Sequence, residues 1–247
     1  MNRHLIGMLT PSSNTVLEPY TSAMLQPLLP HVTAHFQRFV VKEITLNENA
    51  LAQFQTQQLV DAAMILNDAR MNVIAWCGTS ASWLGFDTDE RLCAAITATT
   101  GVPATSSVLA LNEALARTKV KRLGLVTPYL SDVQHTIMKN YAAAGYEVVA
   151  ERHLNDKGNF SFAEYDEPEL EKMIREVAQD KPDAITVLCT NFRGTGLVDR
   201  LEKELGIPIY DSISVTLWHS LELAGVDPSL IKGWGQIFSL NASFATT

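Results

Sequence analysis

A chain of 247 residues can bury one large core or two lobes of about 120 residues each. With 47% apolar and 19% charged residues it has the composition of an ordinary soluble globular protein, and no segment approaches the roughly 18–20 apolar residues of a membrane span. A formal net charge of −8 without a lysine- or arginine-rich run argues against nucleic acid or an anionic membrane as partner, while an enclosed site lined by backbone N–H groups still accepts an anion.

The opening residues, MNRHLIGMLTPSSN, move directly into strand-like sequence and lack the long apolar core of a signal peptide. Cys77, Cys93 and Cys189 are odd in number and lack metal-type spacing, so neither a disulfide framework nor a zinc site is indicated. A reducing cytoplasm is the expected setting.

Apolar, strand-like runs alternate with helix-like segments along the whole chain, the signature of parallel sheet covered on both faces. In order, the pattern predicts strand Leu5–Leu9, helix Thr15–Leu28, strand Thr33–Phe39, helix Asn49–Ala69, strand Val73–Trp76, helix Asp87–Thr100, strand Ala104–Ser106 and helix Val108–Thr118. It continues with strand Leu123–Val126, helix Ser131–Ala144, strand Glu147–Arg152, helix Glu167–Gln179, strand Ala184–Leu188, helix Gly196–Leu205, strand Ile209–Tyr210 and helix Ser214–Leu223. Gly101, Pro103, Gly145, Pro182, Gly206 and Pro208 punctuate the boundaries. The tail from about Ser239 to Thr247 reads as poorly ordered.

This order contains a repeat. LIGMLTP, NVIAWCGTS and GVPATSS in the first half correspond to LGLVTP, AITVLCTN and GIPIYDS in the second. Each triplet is a buried strand ending in Thr-Pro, a buried strand ending in Cys, and a Gly-apolar-Pro lead into a short strand. The expected fold is therefore α/β: two flavodoxin-like lobes with parallel sheets related by a pseudo-twofold, residues 1–113 plus 214–247 forming one and 114–213 the other. Lys119–Arg122 is too short for a flexible linker, so the lobes pack closely around one cleft at the carboxyl ends of the strands.

Two thiols fall at those ends. Cys189 follows the apolar run Ala184–Leu188, where N–H groups of the next turn could tune it as an acid or base; most free cysteines, however, are inert core residues. Cys77 opens Cys-Gly-Thr-Ser, in which Gly78 permits close backbone approach and Thr79 and Ser80 offer donors to a carboxylate, or simply cap a helix. Thr10–Thr15, with Ser13 and Asn14, supplies similar groups, and Tyr129 in the matching Thr-Pro-Tyr could present a phenol to an anionic oxygen. Cys93 reads as core. The six histidines are scattered, and no glycine-rich nucleotide motif is present, so neither a metal nor a nucleotide cofactor is expected.

At these residues the sequence resembles the aspartate/glutamate racemase superfamily, in the branch of maleate cis-trans isomerases and arylmalonate decarboxylases. Pro11-Ser12-Ser13-Asn14-Thr15 resembles the isomerases, whereas Gly78-Thr79-Ser80, TPYLSDV from Thr127, WHSLELAG from Trp218 and GWGQIF from Gly233 resemble the decarboxylases. The resemblance implies cofactor-free chemistry at the carbon next to a carboxylate, through an ene-diolate held by hydrogen-bond donors. It implies decarboxylation of a substituted malonate with Cys189 as proton donor, and with Thr79, Ser80, Tyr129 and the N–H groups of Cys189, Thr190 and Asn191 around the ene-diolate. The alternative is an isomerase or racemase using both Cys77 and Cys189, with Asn14 holding a carboxylate; a third is a non-catalytic binder of small carboxylates. The register decides: the repeat pairs Cys77 with Cys189, while ungapped comparison puts Gly78 where the first isomerase cysteine belongs. The partner is in each case a small dicarboxylate or arylmalonate-type substrate, compatible with a homo-oligomer.

Overall fold

The computed structural model describes residues 3–41, 46 and 56–240. The first half contains β1 (His4–Pro11), α1 (Leu17–Leu25), β2 (Val32–Phe39), α2 (Thr56–Asn67), β3 (Val73–Trp76), α3 (Ala81–Leu84), α4 (Asp87–Thr100), β4 (Ala104–Ser106) and α5 (Ser107–Arg117). The second contains β5 (Arg122–Thr127), α6 (Ser131–Ala143), β6 (Glu147–His153), α7 (Glu167–Ala178), β7 (Ala184–Val187), α8 (Val198–Leu205), β8 (Ile209–Asp211) and α9 (Ser212–Leu223). All pairings are parallel, and the two sheets share one order, β2-β1-β3-β4 and β6-β5-β7-β8. The repeat in the sequence is thus a repeat in space, two flavodoxin-like lobes related by an approximate twofold.

The reason lies in the residues. Strands β3 and β7 are buried at every position, because helices cover both faces of each sheet; edge strands β2 and β6 are only half-buried and carry the polar residues. Helix α7 turns Leu170, Met173, Ile174 and Val177 inward at helical spacing, and Asp166 caps it by accepting the Glu169 N–H at 3.0 Å. Helices α4 and α8 end at Gly101 and Gly206, both left-handed (φ 73° and 68°), a conformation that glycine adopts without a Cβ clash. Apolar packing is continuous through both halves. Helix α9 packs on α5, where Thr216 donates to the Ser107 hydroxyl at 2.7 Å, and it also meets α1, β3 and β4.

Several boundaries differ from expectation. Helix α1 stops at Leu25 and passes into a 3-10 turn at Gln26–Leu28, because Pro27 has no N–H and crowds the preceding turn. The last helix begins at Ser212 rather than Ser214: the Asp211 carboxylate accepts the N–H groups of Ile213 and Ser214 at 2.9 and 3.3 Å. The segment before α8 is a 3-10 turn, Thr195–Leu197. Four-residue α3 was not foreseen. Residues 49–55 of the expected second helix and 241–247 of the tail lie outside the described residues. Gln236–Ser239 is a 3-10 turn held by buried Ile237 and Phe238, so regular structure reaches the start of the segment read as loose.

Candidate active site

In each sheet the chain departs in opposite directions from the first strand and its inner neighbour, β1/β3 and β5/β7. Ligands of open α/β sheets bind at such switch points, outside the carboxyl ends of the strands. Here the two switch points face one another. Pro11 ends β1, Trp76 to Ser80 follow β3, Tyr129 follows β5, and Cys189 and Thr190 follow β7; all line one cavity except Cys77. Val41, Trp83, Asn159 and Phe162 complete the wall. The cavity measures about 20 Å³, room for about one water molecule.

One side of this space is polar. The Thr79 hydroxyl and the Tyr129 hydroxyl share a hydrogen bond of 2.6 Å, and Tyr129 also interacts with the Cys189 thiol. The Ser80 hydroxyl makes no hydrogen bond among the described residues, and there the N–H groups of Gly78, Thr79, Ser80, Cys189 and Thr190 likewise find no acceptor. Such a group of donors is what a carboxylate, or an ene-diolate, would accept from. The other side is apolar. Trp83 and Phe162 meet Tyr129 edge-on, with centroids at 5.1 and 5.6 Å, and Trp76 lies against Phe39 at 5.0 Å.

The two thiols are not equivalent. Cys189 Sγ accepts the Asn191 N–H at 3.4 Å and faces the cavity. Burial pushes its thiol up to about 12, a rise that the Asn191 N–H and Tyr129 hydroxyl oppose and that buried Asp211 assists. It is therefore a neutral S–H at physiological pH. Cys77 is fully buried one residue before the cavity lining; its Sγ lies 3.6 Å from the Ala75 carbonyl, and burial alone pushes that thiol up as well. The pairing of Cys77 with Cys189 expected from the repeat is thus not realised at the cavity, which Cys189 and Gly78 line and Cys77 does not. Successive side chains near a strand end point to opposite faces, so a one-residue offset reverses the outcome. Cys93 is buried on α4 and belongs to the core.

Three other expected site residues serve the framework. Asn14 accepts the N–H groups of Val16 and Leu17, both at 2.9 Å, capping α1, and donates to the Thr190 hydroxyl at 3.1 Å. Asn191 accepts the Thr15 N–H at 2.9 Å and donates to the Asn159 carbonyl. The Ser13 hydroxyl donates to the Val41 carbonyl at 2.9 Å, as Ser12 does at 3.2 Å, so it anchors the wall instead of facing the cavity. Thr190 does both: it lines the cavity, and its hydroxyl donates to the Cys77 carbonyl at 2.9 Å.

Two features were missed in the sequence, and only one of them left a readable signal. Val41, Asn159 and Phe162 reach the cavity from connections beyond the edge strands, where no periodicity fixes position. Asp211 is fully buried, and its carboxyl is pushed up to about 7 by desolvation, opposed by the Thr195 hydroxyl and the N–H groups of Ser214 and Ile213. Its place before the small residues Ser212 and Ser214 is a cap signal that could have located it. Among the described residues no three His, Cys, Asp or Glu side chains gather as a metal site, and no helix is long and apolar enough to cross a membrane.

Relatives of this chain include proteins with two named activities. The chain is 25% identical over 235 residues to a maleate isomerase of Geobacillus stearothermophilus, covering 90% of this chain and 92% of that one. It is 26% identical over 238 residues to the arylmalonate decarboxylase of Bordetella bronchiseptica, covering 94% and 95%. A mutant of the Nocardia farcinica maleate cis-trans isomerase, solved with a covalently bound succinylcysteine intermediate, superimposes with a TM-score of 0.87 at 22% identity, over 98% of this chain and 100% of that one. The family model described as arylmalonate decarboxylase matches residues 15–238, nearly the whole chain and every cavity-lining segment beyond Pro11. Sequence, fold and the matched span agree, and the protein belongs to the arylmalonate decarboxylase family.

Proposed function

We propose that this protein decarboxylates a substituted malonate, with Cys189 as the proton donor. What supports the reading is that Cys189 is the single thiol lining the cavity, where Gly78, not Cys77, completes the lining after β3.

One substrate carboxylate would lie among the hydroxyls of Thr79, Ser80 and Tyr129 and the free N–H groups beside them. The other would be turned toward Val41, Trp76 and Phe162, where it loses hydration and gains nothing in return. The bond from the α-carbon to that carboxylate breaks, CO₂ leaves, and the electron pair passes into the remaining carboxylate as an ene-diolate. The donors then hold more charge than they held in the ground state, which lowers the barrier. The Cys189 S–H bond breaks as its proton joins the α-carbon; the electron pair stays on sulfur, and the thiolate regains a proton from water. In sum, a malonate dianion and one proton give a monocarboxylate and CO₂. A thiol that burial keeps protonated is suited to this step and unsuited to that of a resting nucleophile.

The two-thiol alternative has the maleate isomerase relatives in its favour. It needs the Cys77 thiol to reach the substrate and the Asn14 amide to hold a carboxylate, whereas these groups face the Ala75 carbonyl and serve the α1 cap and Thr190. The experiment is CO₂ release from alkyl- and arylmalonates by the purified protein in buffer containing chelator, with Cys189→Ala as control. Release that Cys189→Ala abolishes supports the proposal. Turnover of maleate alone, or binding of malonates without turnover, overturns it.

A further inference from the structure

Gly78 and Trp76 stand two positions apart at the end of β3 and so project to the same face of the sheet. Trp76 is 1% exposed, paired through its backbone with Leu9 and Ser106, and backed by the Phe39 ring. Its indole folds over Gly78. A Cβ placed at residue 78 would stand 1.9, 2.3 and 2.4 Å from three of the indole carbons, far inside any contact that real Cβ atoms make. The glycine and the tryptophan are therefore one unit: the ring occupies the volume that a side chain at 78 would need.

From this geometry we infer that Trp76 is a specificity-determining residue, whose indole keeps an acidic side chain at position 78 off the first-lobe face of the cavity. The inference rests on the decarboxylase reading and extends it to stereochemistry. Cys189 reaches the ene-diolate from the second lobe. On the first-lobe side Thr79 and Ser80 serve the carboxylate, residue 78 has no side chain, Cys77 points away, and the indole ring fills the place that a thiol at 78 would take. Protonation comes from one face, and a malonate with two different α-substituents gives one enantiomer. The reverse step, removal of the α-proton from the opposite enantiomer, has no base, so the product is not racemised.

The test is a double-mutant cycle with two readouts. Gly78→Cys introduces a thiol under the ring and should lower Tm by roughly 3–10 °C in the wild-type background. In a Trp76→Leu background the same change should shift Tm by less than about 2 °C, because the smaller side chain leaves room. Equal shifts in both backgrounds would overturn the steric unit. The second readout is incorporation of solvent deuterium into a 2-substituted carboxylic acid, together with the enantiomeric composition of the decarboxylation product. Trp76→Leu/Gly78→Cys should exchange and racemise at least tenfold faster than either single variant, while the wild type yields one enantiomer. A Gly78→Cys single variant that racemises as fast as the double, or a double variant with thermal coupling but no gain in exchange, would overturn Trp76 as the facial determinant. The thermal cycle is readable even if the wild type releases no CO₂, a result that would count against the decarboxylase reading alone.

Discussion

Replacing Cys77 by alanine separates one-thiol from two-thiol chemistry, because the structure assigns the two cases very different sizes. The Cys77 sulfur is fully buried and makes one weak contact, 3.6 Å to the Ala75 carbonyl. Deleting it removes an atom of about methylene size, which costs about 0.8 kcal/mol in transfer free energy and roughly another 0.5 kcal/mol for the small void left behind. For a chain of this length that is a fall in Tm of about 2–5 °C. The transition state loses nothing, so kcat/KM on the best malonate should stay within about threefold of wild type. If Cys77 were instead a nucleophile or base, its loss would cost about a thousandfold or more, equivalent to about 4 kcal/mol at 1.36 kcal/mol per decade. The assay is a steady-state rate beside a melting curve on the same preparation. A Cys77→Ala protein that melts within a few degrees of wild type yet has lost a thousandfold in kcat/KM would refute the reasoning and transfer the chain to two-thiol chemistry.

Tyr129→Phe removes the hydroxyl shared with Thr79 at 2.6 Å; kcat should fall by roughly a hundredfold with little change in KM, as steady-state kinetics will show, since the donor matters most when charge has moved onto the ene-diolate. With the Cys189 thiol pushed up to about 12, kcat for decarboxylation should show no alkaline limb between pH 7 and 10; a limb centred near pH 8.5, the ordinary thiol range, would contradict the proton-donor role. Burial holds the Asp211 carboxyl at about 7, so the folded state takes up its proton between pH 4 and 7 and stability falls as pH rises through that window. Asp211→Asn keeps an acceptor for the α9 cap and removes the ionisation, and in urea melts it should gain roughly 2–3 kcal/mol over wild type at pH 8 relative to pH 5. Asp89, also held at about 7 by burial, should leave a residual slope.

The inner strands were legible because each is a compact apolar run with a glycine or proline in or beside it. Val73–Trp76 fits its prediction to the residue, and Ala184–Val187 falls within one. Helix ends were less so: Pro27 and Asp211 act through a single backbone N–H or carboxylate, which overall periodicity does not weigh. At the site, Cys189, Thr79, Ser80, Gly78, Tyr129 and Thr190 do meet, since motif position fixed them at strand ends. Asn14, Asn191 and Ser13 show the opposite lesson. Small polar residues beside a site can spend their hydrogen bonds on its scaffold, and residue type alone does not distinguish the two uses. The Trp76–Gly78 contact was out of reach because a rotamer, and not a pattern, creates it.

The hydrogen bonds from Asn14 to Thr190, from Thr190 to the Cys77 carbonyl, from Thr15 to Asn191 and from Asn140 to the Ser82 carbonyl stitch the floor of the cavity across the midline. At about 1 kcal/mol apiece, these four bonds alone would hold a clamshell-like parting of the halves to no more than about a thousandth of the time, and the apolar packing between them lowers that further. At the rim, Asn159 reaches the Val41 carbonyl across 3.4 Å. A cavity with room for one water must widen before it admits a dicarboxylate. The donors and the thiol sit on the stitched floor, so widening at the rim would leave undisturbed the bench where the proton changes hands.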